Sequence, residues 1–272
     1  MPHTLADVRA VVERLWPLSG AEAWDAPGLL SGDPTAEVSS ILLTVDAVAE
    51  VVDEALDLGA DLLIAHHPLL LRGVTSVAED RYKGAVLASL IRGGCALIAA
   101  HTNADVVETG TSAVLATRLG MVDATPITAG ESPSRGIGRA GRLPEPVTLG
   151  RLARILADLL PATASGIRVS GDFDRVVHSV ALCGGAGDSL LSEPAVLAAD
   201  VYITSDLRHH PASEARENAK LTGGPALIDV SHWASEWLWL DTAAAELREA
   251  LPGVSVAVSE TRTDPWDFVI VQ

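Results

Sequence analysis

A short apolar run that ends in two histidines and a proline is the feature that most constrains the fold of this chain. Residues 62–65 read Leu-Leu-Ile-Ala, a length and composition typical of a buried parallel strand. Pro68 cannot donate to a sheet and disfavours helical angles at His67, so the strand should stop where the imidazoles begin. Ligands collect outside the carboxyl ends of strands in open α/β sheets. His66 and His67 could therefore serve two sites or two neighbouring metal ions, since adjacent residues of an extended chain point to opposite sides. A pair of loop histidines without a ligand is the alternative.

Composition excludes several classes of protein. At 272 residues with 48% apolar content, the chain can bury a substantial core in one or two lobes. We find neither a signal-peptide core nor the roughly 18 consecutive apolar residues of a membrane helix. The net charge of −17 is spread without a basic patch, which argues against nucleic acid and anionic membranes as partners. Cys95 and Cys183 lie in apolar runs and suit the reducing cytoplasm.

The first part of the chain alternates strand and helix patterns. Thr4 is a predicted N-cap for an amphipathic helix that runs to Trp16. The next predicted elements are strands at 41–45, 62–65 and 95–100 and helices at 47–58 and 80–92. The strand at 95–100 leads directly to His101 and, four residues later, to Asp105.

A second series of strands and helices follows a polar segment. Residues 121–137 are rich in Pro, Gly, Ser and Thr, and we predict a linker there. The elements predicted after it are a strand at 138–143, a helix capped by Thr148 that runs to Leu160, and a strand at 175–182. The predicted domains are a first α/β lobe over 1–122, a second α/β lobe over 138–230, and a C-terminal helix with strands over 231–272 that returns to the first lobe.

Similar segments recur in the same order in the two halves. The run 60–64 leads to His66-His67-Pro68, and the run 199–203 leads to His209-His210-Pro211. The run 96–98 leads to His101 and Asp105, as the run 226–228 leads to His232 and Glu236. We interpret this as duplication of an α/β unit, with chance similarity of βα units as the alternative. If the two similar lobes face each other, the strand-end residues of both meet in one cleft.

The strand-end residues are of the types that bind metal ions. His232 and Glu236 are four residues apart at the start of a helix pattern, which places both side chains on one face. His101 and Asp105 have the same spacing. The candidate ligands are His66, His67, His101, His232, Asp105 and Glu236.

Imidazole plus carboxylate suits Zn, Mn, Fe or Ni, and the absence of thiolates argues against a closed structural zinc site. Six ligands are too many for one tetrahedral ion, so we predict two divalent ions with a bridging carboxylate. The alternative explanation is plain: a strand-end histidine is commonly solvated, and a Glu four residues after a His often arises by chance. The repetition of the pattern favours metal binding.

Five segments of the chain match the sequence pattern of a known family: Trp24-Asp25…Gly28-Leu29, Ile64-Ala65-His66-His67-Pro68, Ala100-His101-Thr102-Asn103-Ala104-Asp105, Thr204-Ser205-Asp206…His210 and Ser231-His232-Trp233-Ala234-Ser235-Glu236. Through these segments the sequence resembles, nearly end to end, the NGG-interacting-factor-three-like proteins, also catalogued as GTP cyclohydrolase I type-two homologues. The resemblance implies two α/β lobes, a dinuclear metal centre between them and a ring-like homohexamer. The implied ligands map onto His66, His67, Asp105, His232 and Glu236, with Glu236 as the bridge and His101 as a ligand or a neighbour of the metals.

A few positions depart from the family pattern. Ala26-Pro27, Ser205, Ser231, His209 and Trp233 replace residues usual in the family, and none of them is a mapped ligand. They bear on the shape of the substrate pocket and leave the ligand set intact.

Two classes of function follow. The first is a metal-dependent hydrolase that uses metal-activated water on a small-molecule substrate; the resemblance suggests GTP, a related nucleotide or a cyclic amide. His101 or His210, if neutral near pH 7, could move protons in such a reaction. The second class is a non-catalytic metal-binding, metal-handling or protein-interaction protein. An enzyme should keep an open coordination position beside a polar pocket, which is what separates the two classes.

Overall fold

A computed structural model describes residues 2–130 and 132–271 of the chain. The strands in these ranges are β1 (His3–Thr4), β2 (Gly28–Ser31), β3 (Glu37–Val38), β4 (Ser40–Thr44), β5 (Leu62–Ala65), β6 (Ala96–Ala99), β7 (Val122–Thr125), β8 (Thr128–Ala129), β9 (Gly136–Ile137), β10 (Arg139–Thr148), β11 (Arg168–Ser170), β12 (Val176–Ala186), β13 (Val201–Ser205), β14 (Ala226–Val230) and β15 (Ser255–Val258). The α-helices are α1 (Leu5–Leu15), α2 (Ala49–Asp57), α3 (Tyr82–Gly93), α4 (Thr102–Asp105), α5 (Thr111–Arg118), α6 (Leu149–Leu159), α7 (Pro194–Leu197), α8 (His209–Thr222) and α9 (His232–Ala250). Single 3₁₀ turns occur at Leu18–Gly20 and Asp188–Leu190.

The predicted helix starts are confirmed where a capping side chain is present. Thr4 accepts a hydrogen bond from the amide of Asp7, and the Asp7 carboxylate accepts one from the amide of Thr4, so a capping box opens α1. The Thr148 hydroxyl caps α6 by accepting a hydrogen bond from the amide of Arg151. In both cases a signal within four residues was enough to fix where the helix begins.

The chain divides into two compact units, the first formed by residues up to 104 with 240–263 and the second by 105–239 with residues from 264 onwards. The first unit holds a sheet in the order β15-β4-β5-β6-β2. Its first four strands run parallel and β2 is antiparallel. Helices α2 and α3 cover one face, where Val51, Val52 and Leu90 pack with Leu63 and Leu97 in the core. Because β5 and β6 are parallel neighbours, the residues that follow them emerge at the same edge of the sheet.

The second unit repeats this arrangement. Its main sheet has the order β11-β14-β13-β12-β10-β7. Strands β12, β13 and β14 are parallel, as β4, β5 and β6 are in the first unit, and the remaining strands join antiparallel. Tyr202, Leu227 and Val196 belong to its core. The α/β fold class and the duplication are thus confirmed by the structure.

The predicted linker at 121–137 is wrong as a description of local structure. This segment contains β7, β8 and β9, and β7 pairs with β10 at the edge of the second sheet. All four residues of β7 are exposed, so the segment has the polar composition of a linker although it forms an edge strand. The division into units falls at 104/105, whereas the predicted end of the first lobe is residue 122.

His209-His210-Pro211 also differs from its apparent counterpart in the first half. His66 and His67 follow a strand directly, whereas His209 and His210 form the first turn of α8, with Arg208 as N-cap. Pro211 is tolerated there because the first amides of a helix have no acceptor within the helix.

Within residues 2–130 and 132–271, no helix is both long and apolar enough to cross a membrane.

Candidate metal centre

Three histidines converge in the first unit. His66 and His67 follow β5, and His101 follows β6, so the parallel register of these strands brings the imidazoles to one edge of the sheet. One ligand atom from each ring can be chosen so that all three lie within 4.8 Å of one another. His66 is fully buried, and His67 and His101 are half-buried. We call these three residues the histidine cluster.

Each ring of the histidine cluster has its Nδ1 atom engaged by an oxygen of the same unit. His66 Nδ1 lies 2.8 Å from the carbonyl oxygen of Ala100. His67 Nδ1 lies 2.7 Å from Asp46 Oδ1, and His101 Nδ1 lies 2.8 Å from Asp25 Oδ1. An Nδ1–H donated to an oxygen leaves Nε2 as the atom with a lone pair for a metal ion. Histidine ligands of metals typically have this outer partner, which fixes the tautomer and the ring orientation.

The hydrogen bonds around Asp25 favour the ionised form of its carboxyl group. Its side chain is fully buried, and its Oδ2 accepts hydrogen bonds from the Thr102 hydroxyl at 2.5 Å and the Thr102 amide at 3.0 Å. Burial alone would raise the pKa of Asp25, but the hydrogen bonds from His101 and Thr102 outweigh it and lower that pKa to about 2. An ionised Asp25 requires a proton on His101 Nδ1.

The second unit contributes a histidine and a glutamate from the first turns of α9. His232 Nε2 and Glu236 Oε1 are 3.1 Å apart, and His232 Nδ1 lies 2.7 Å from Asp206 Oδ2. Glu236 is buried. Burial disfavours the charged form of His232, but the charge of Glu236 and the hydrogen bonds with Asp206 and Glu236 hold its pKa well above the ordinary value. A metal ion that binds this pair must therefore displace a proton.

The backbone near His232 and Glu236 has a glycine where a side chain would collide with the Glu236 carboxylate. Gly185, a buried residue near the end of β12, has φ of +70°, and a Cβ built there would lie 2.3 Å from Glu236 Oε1. Asp206, the partner of His232, is a non-glycine residue at φ of 57°. Left-handed residues of this kind cluster at functional sites, because their cost is tolerated only where the surroundings demand it.

Asp105 and His210 are placed differently. Asp105 ends α4 in the second unit, and its Oδ1 accepts a hydrogen bond of 2.5 Å from the Thr111 hydroxyl. His210 is exposed at the start of α8, with its ring 5.3 Å from that of His209 between centroids. In the described part of the chain, neither residue belongs to a group of three or more mutually close ligand atoms. The ligand role of Asp105 and the catalytic role of His210 stay predictions.

The donor set fits a borderline divalent ion. Imidazole nitrogens with fixed outer partners and a buried carboxylate are ligands that Zn, Mn, Fe and Ni accept. Both cysteines are free and buried, and burial raises the pKa of Cys183 to about 12, so thiolate ligation is disfavoured. The residues that could hold an ion are His66, His67 and His101 in the first unit and His232 with Glu236 in the second.

The outer carboxylates Asp46 and Asp25 were not singled out from the sequence as functional residues. Asp46 directly follows the predicted strand 41–45, and a carboxylate at a strand end could have marked it as a functional residue. Asp25 lies in a loop, and the only sign of its importance was the Trp24-Asp25 motif. No local pattern connects it to a histidine 76 residues away.

The sequence model of the Duf34/NIF3 (NGG1p interacting factor 3) family matches residues 3–265. The chain belongs to the Duf34/NIF3 family. A Streptomyces coelicolor protein named GTP cyclohydrolase 1 type 2 homolog is 46% identical to this Duf34/NIF3 chain over 273 residues, covering 98% of this chain and 94% of that protein. A Clostridium perfringens protein of the same name is 31% identical and covers 97% and 99% respectively.

Solved structures agree with this assignment. A Staphylococcus aureus hypothetical protein matches the Duf34/NIF3 chain with a TM-score of 0.89 and 27% identity, over 99% of this chain and 100% of that one. A Bacillus cereus protein related to NIF3 matches with a TM-score of 0.88 at 23% identity over the same shares, which supports the fold alone.

Proposed function

We propose that this Duf34/NIF3 chain binds divalent metal ions and catalyses a hydrolysis. The observation that carries the proposal is the histidine cluster, in which His66, His67 and His101 converge and every Nδ1 is held by an oxygen. Holding three rings in this alignment costs side-chain conformational entropy and buries polar groups, both of which are unfavourable. A purely structural role would require neither.

A bound divalent ion would supply a Lewis acid and would lower the pKa of water towards ~7. The residues of the chain provide the rest. His66, His67 and His101 would hold the ion, while Asp46 and Asp25 fix the tautomers and orientation of the rings of His67 and His101. Because these carboxylates are negative, they also raise the basicity of the rings as ligands.

His232 and Glu236 form a second ligand group, with Asp206 in the outer role that Asp25 and Asp46 have in the first unit. The family resemblance predicts one dinuclear centre with Glu236 as the bridge. Metal stoichiometry tests the count, and magnetic coupling between two bound Mn(II) ions tests whether the ions share a ligand.

Two roles are open to His101, and one variant separates them. As a ligand, His101 would be needed to retain metal; as a proton carrier, it would be needed only for turnover. We would compare His101→Gln with His178→Gln, since His178 belongs to neither ligand group in the described residues. Loss of metal assigns His101 to the ligands, and retained metal with lost activity assigns it to proton transfer.

The relatives named GTP cyclohydrolase 1 type 2 homolog suggest GTP or a related nucleotide as the first substrate to test. Metal analysis of the purified protein should precede a screen of nucleotides, phosphoesters and cyclic amides. The reference is protein treated with a chelator and reloaded. A chain that retains no divalent ion at stoichiometric concentration contradicts the proposal.

Homo-oligomerisation, with a hexamer as the resemblance implies, is also part of the proposal. The C-terminal segment supports an interface, because Trp266, Phe268, Ile270 and Val271 are exposed apolar side chains in close succession. A chain truncated after Thr263 should have a smaller mass by light scattering than the full chain. An unchanged mass would show that this segment does not form the interface. A stable oligomer that binds metal but turns over nothing would favour the non-catalytic, metal-handling function.

A further inference from the structure

A cavity of about 320 Å³ in the first unit lies beside the histidine cluster. Its polar lining comes from Asp46, His67, Arg72, Tyr82 and Lys83. His67 is the member of the histidine cluster that faces this cavity, and Asp46 is its outer partner. A molecule held here therefore contacts a candidate metal ligand directly. The volume is at the low end of the range for small-molecule sites, ~300–1,000 Å³.

The two cationic side chains that line this cavity are Arg72 and Lys83. Within residues 2–130 and 132–271, the side chains of Arg72 and Lys83 make no hydrogen bond and no ion pair. Arg72 is exposed and Lys83 is half-buried. Some exposed arginines of the chain are paired, as Arg92 is with Glu79 and Arg208 with Asp188. The charges of Arg72 and Lys83 are not offset by such a pair, and both lie around one cavity.

The other polar groups of the cavity are already occupied. Asp46 accepts from His67 through Oδ1 and from the Thr263 hydroxyl through Oδ2, at 2.7 and 2.5 Å. The Tyr82 hydroxyl donates to the carbonyl oxygen of Ala47 at 2.8 Å. Burial and the charge of Asp46 raise the pKa of Tyr82, so the phenol stays neutral. The groups left to bind a ligand are the two cations, which outnumber the carboxylate of Asp46.

Local cations matter here because the whole chain is acidic. A net charge of −17 repels anions, but at physiological ionic strength such repulsion is screened beyond a Debye length of about 8 Å. Arg72 and Lys83 would contact a bound anion directly, and salt screens charges weakly at contact distance. The guanidinium fork and the ammonium group both suit a phosphate oxyanion.

We propose that this cavity binds the phosphate group of a small anionic substrate, with Arg72 and Lys83 as the residues that bind the anion. The inference rests on the proposed function, because it orients the substrate with its reacting end towards the histidine cluster. Helix α3 starts at Tyr82, and its N-cap Arg81 makes no side-chain capping bond, so the first amides of the helix add to the attraction. The substrate class is a phosphate-bearing molecule, as distinct from a neutral cyclic amide.

The test is calorimetric binding of inorganic phosphate and of a nucleoside triphosphate at constant ionic strength. We would compare the full chain with Arg72→Gln, Lys83→Gln and the control Arg81→Gln, which removes the same charge from the same segment but not from the cavity lining. Each protein is measured after chelator treatment and again after metal loading. Metal stoichiometry is measured on the same samples.

Each cavity variant should weaken phosphate binding about tenfold in both states, and Arg81→Gln should change it less than about twofold. Metal stoichiometry should not change. A triphosphate that binds more tightly than phosphate through the same two residues identifies a nucleotide-like source of the anion. Inorganic phosphate as the better ligand identifies the free anion.

Equal binding in wild type and in both cavity variants would overturn the inference, and so would an equal loss in Arg81→Gln. Binding that appears only with metal and ignores both variants would assign the anion to the metal alone. Failure of the proposed function looks different. A chain without metal or turnover could still bind phosphate through Arg72 and Lys83 after chelator treatment, and the inference would then stand by itself.

Discussion

Asp25 Oδ1 and His101 Nδ1 are 2.8 Å apart, although 76 residues separate them in the chain. The carboxylate is buried and ionised, and it gives the imidazole one tautomer and one orientation. Asp46 does the same for His67, and Asp206 for His232. In each of these three histidines a carboxylate oxygen lies beside Nδ1 and fixes the orientation of the ring.

Asp25→Asn should weaken metal binding, because an amide can present its NH₂ group to Nδ1 and select the wrong tautomer. The expected loss is roughly 10–100-fold in metal affinity. Titration with a competing chelator measures it. Asp53→Asn is the matched control, since Asp53 is exposed and its substitution removes the same charge from the same unit. Unchanged affinity in Asp25→Asn would show that His101 is not a ligand or needs no outer carboxylate.

Glu236→Gln should lose metal while keeping the fold. The substitution keeps the size of the side chain but removes the charge that offsets a divalent cation, and imidazole ligands carry none to replace it. We expect metal affinity to fall at least about tenfold, with an unchanged circular dichroism spectrum. Glu249→Gln, exposed on the same helix, should have no effect. Two ions retained with wild-type affinity would rule out Glu236 as the bridge.

Gly185→Ala should disturb the same carboxylate by a different route. A Cβ there would lie 2.3 Å from Glu236 Oε1, so the carboxylate must move. Alanine at this positive φ also costs about 1–2 kcal/mol. Gly223→Ala shares the positive φ, with nothing within 4 Å of its built Cβ, so it reports the backbone cost alone.

Chemical denaturation and metal titration of both variants separate the two effects. Both should lose stability, and only Gly185→Ala should also lose metal affinity. Equal metal affinity in the two would show that Glu236 is not confined by Gly185.

Cys95 should make the chain less stable at high pH. Burial raises its folded pKa from 9.0 to about 11, so the folded state holds this proton more tightly than the unfolded state does. The contribution to stability is complete below pH 9 and is lost as the pH rises towards 11, by about 2–3 kcal/mol.

Denaturant unfolding of the reduced protein at several pH values measures this loss. Cys95→Ala removes the titrating group, so its free energy of unfolding should fall less steeply above pH 9 than that of wild type. Parallel curves for the two proteins would mean that Cys95 does not titrate in this range.

The sequence by itself determined the local features of this protein. Thr4 and Thr148 start their helices as predicted, because a capping bond joins residues only three apart. The strands before His66 and His101 also formed as predicted, since short apolar runs ended by polar residues have few other ways to be buried. The order of these elements was sufficient to reveal the duplication and the candidate ligands.

Only the tertiary structure decided which groups meet. The pairing of His101 with Asp25 depends on β2 lying beside β6, and the pairing of His67 with Asp46 depends on the register of β4 and β5, neither of which a local pattern encodes. The edge strand β7 was missed because its exposed, polar residues gain order only from β10, a neighbour reached through a turn and two shorter strands. His209 and His210 repeat the His66-His67 pair in the sequence, yet they begin a helix. Long-range pairing overrides local preference in an edge strand such as β7, because the hydrogen bonds it supplies exceed the small differences in propensity.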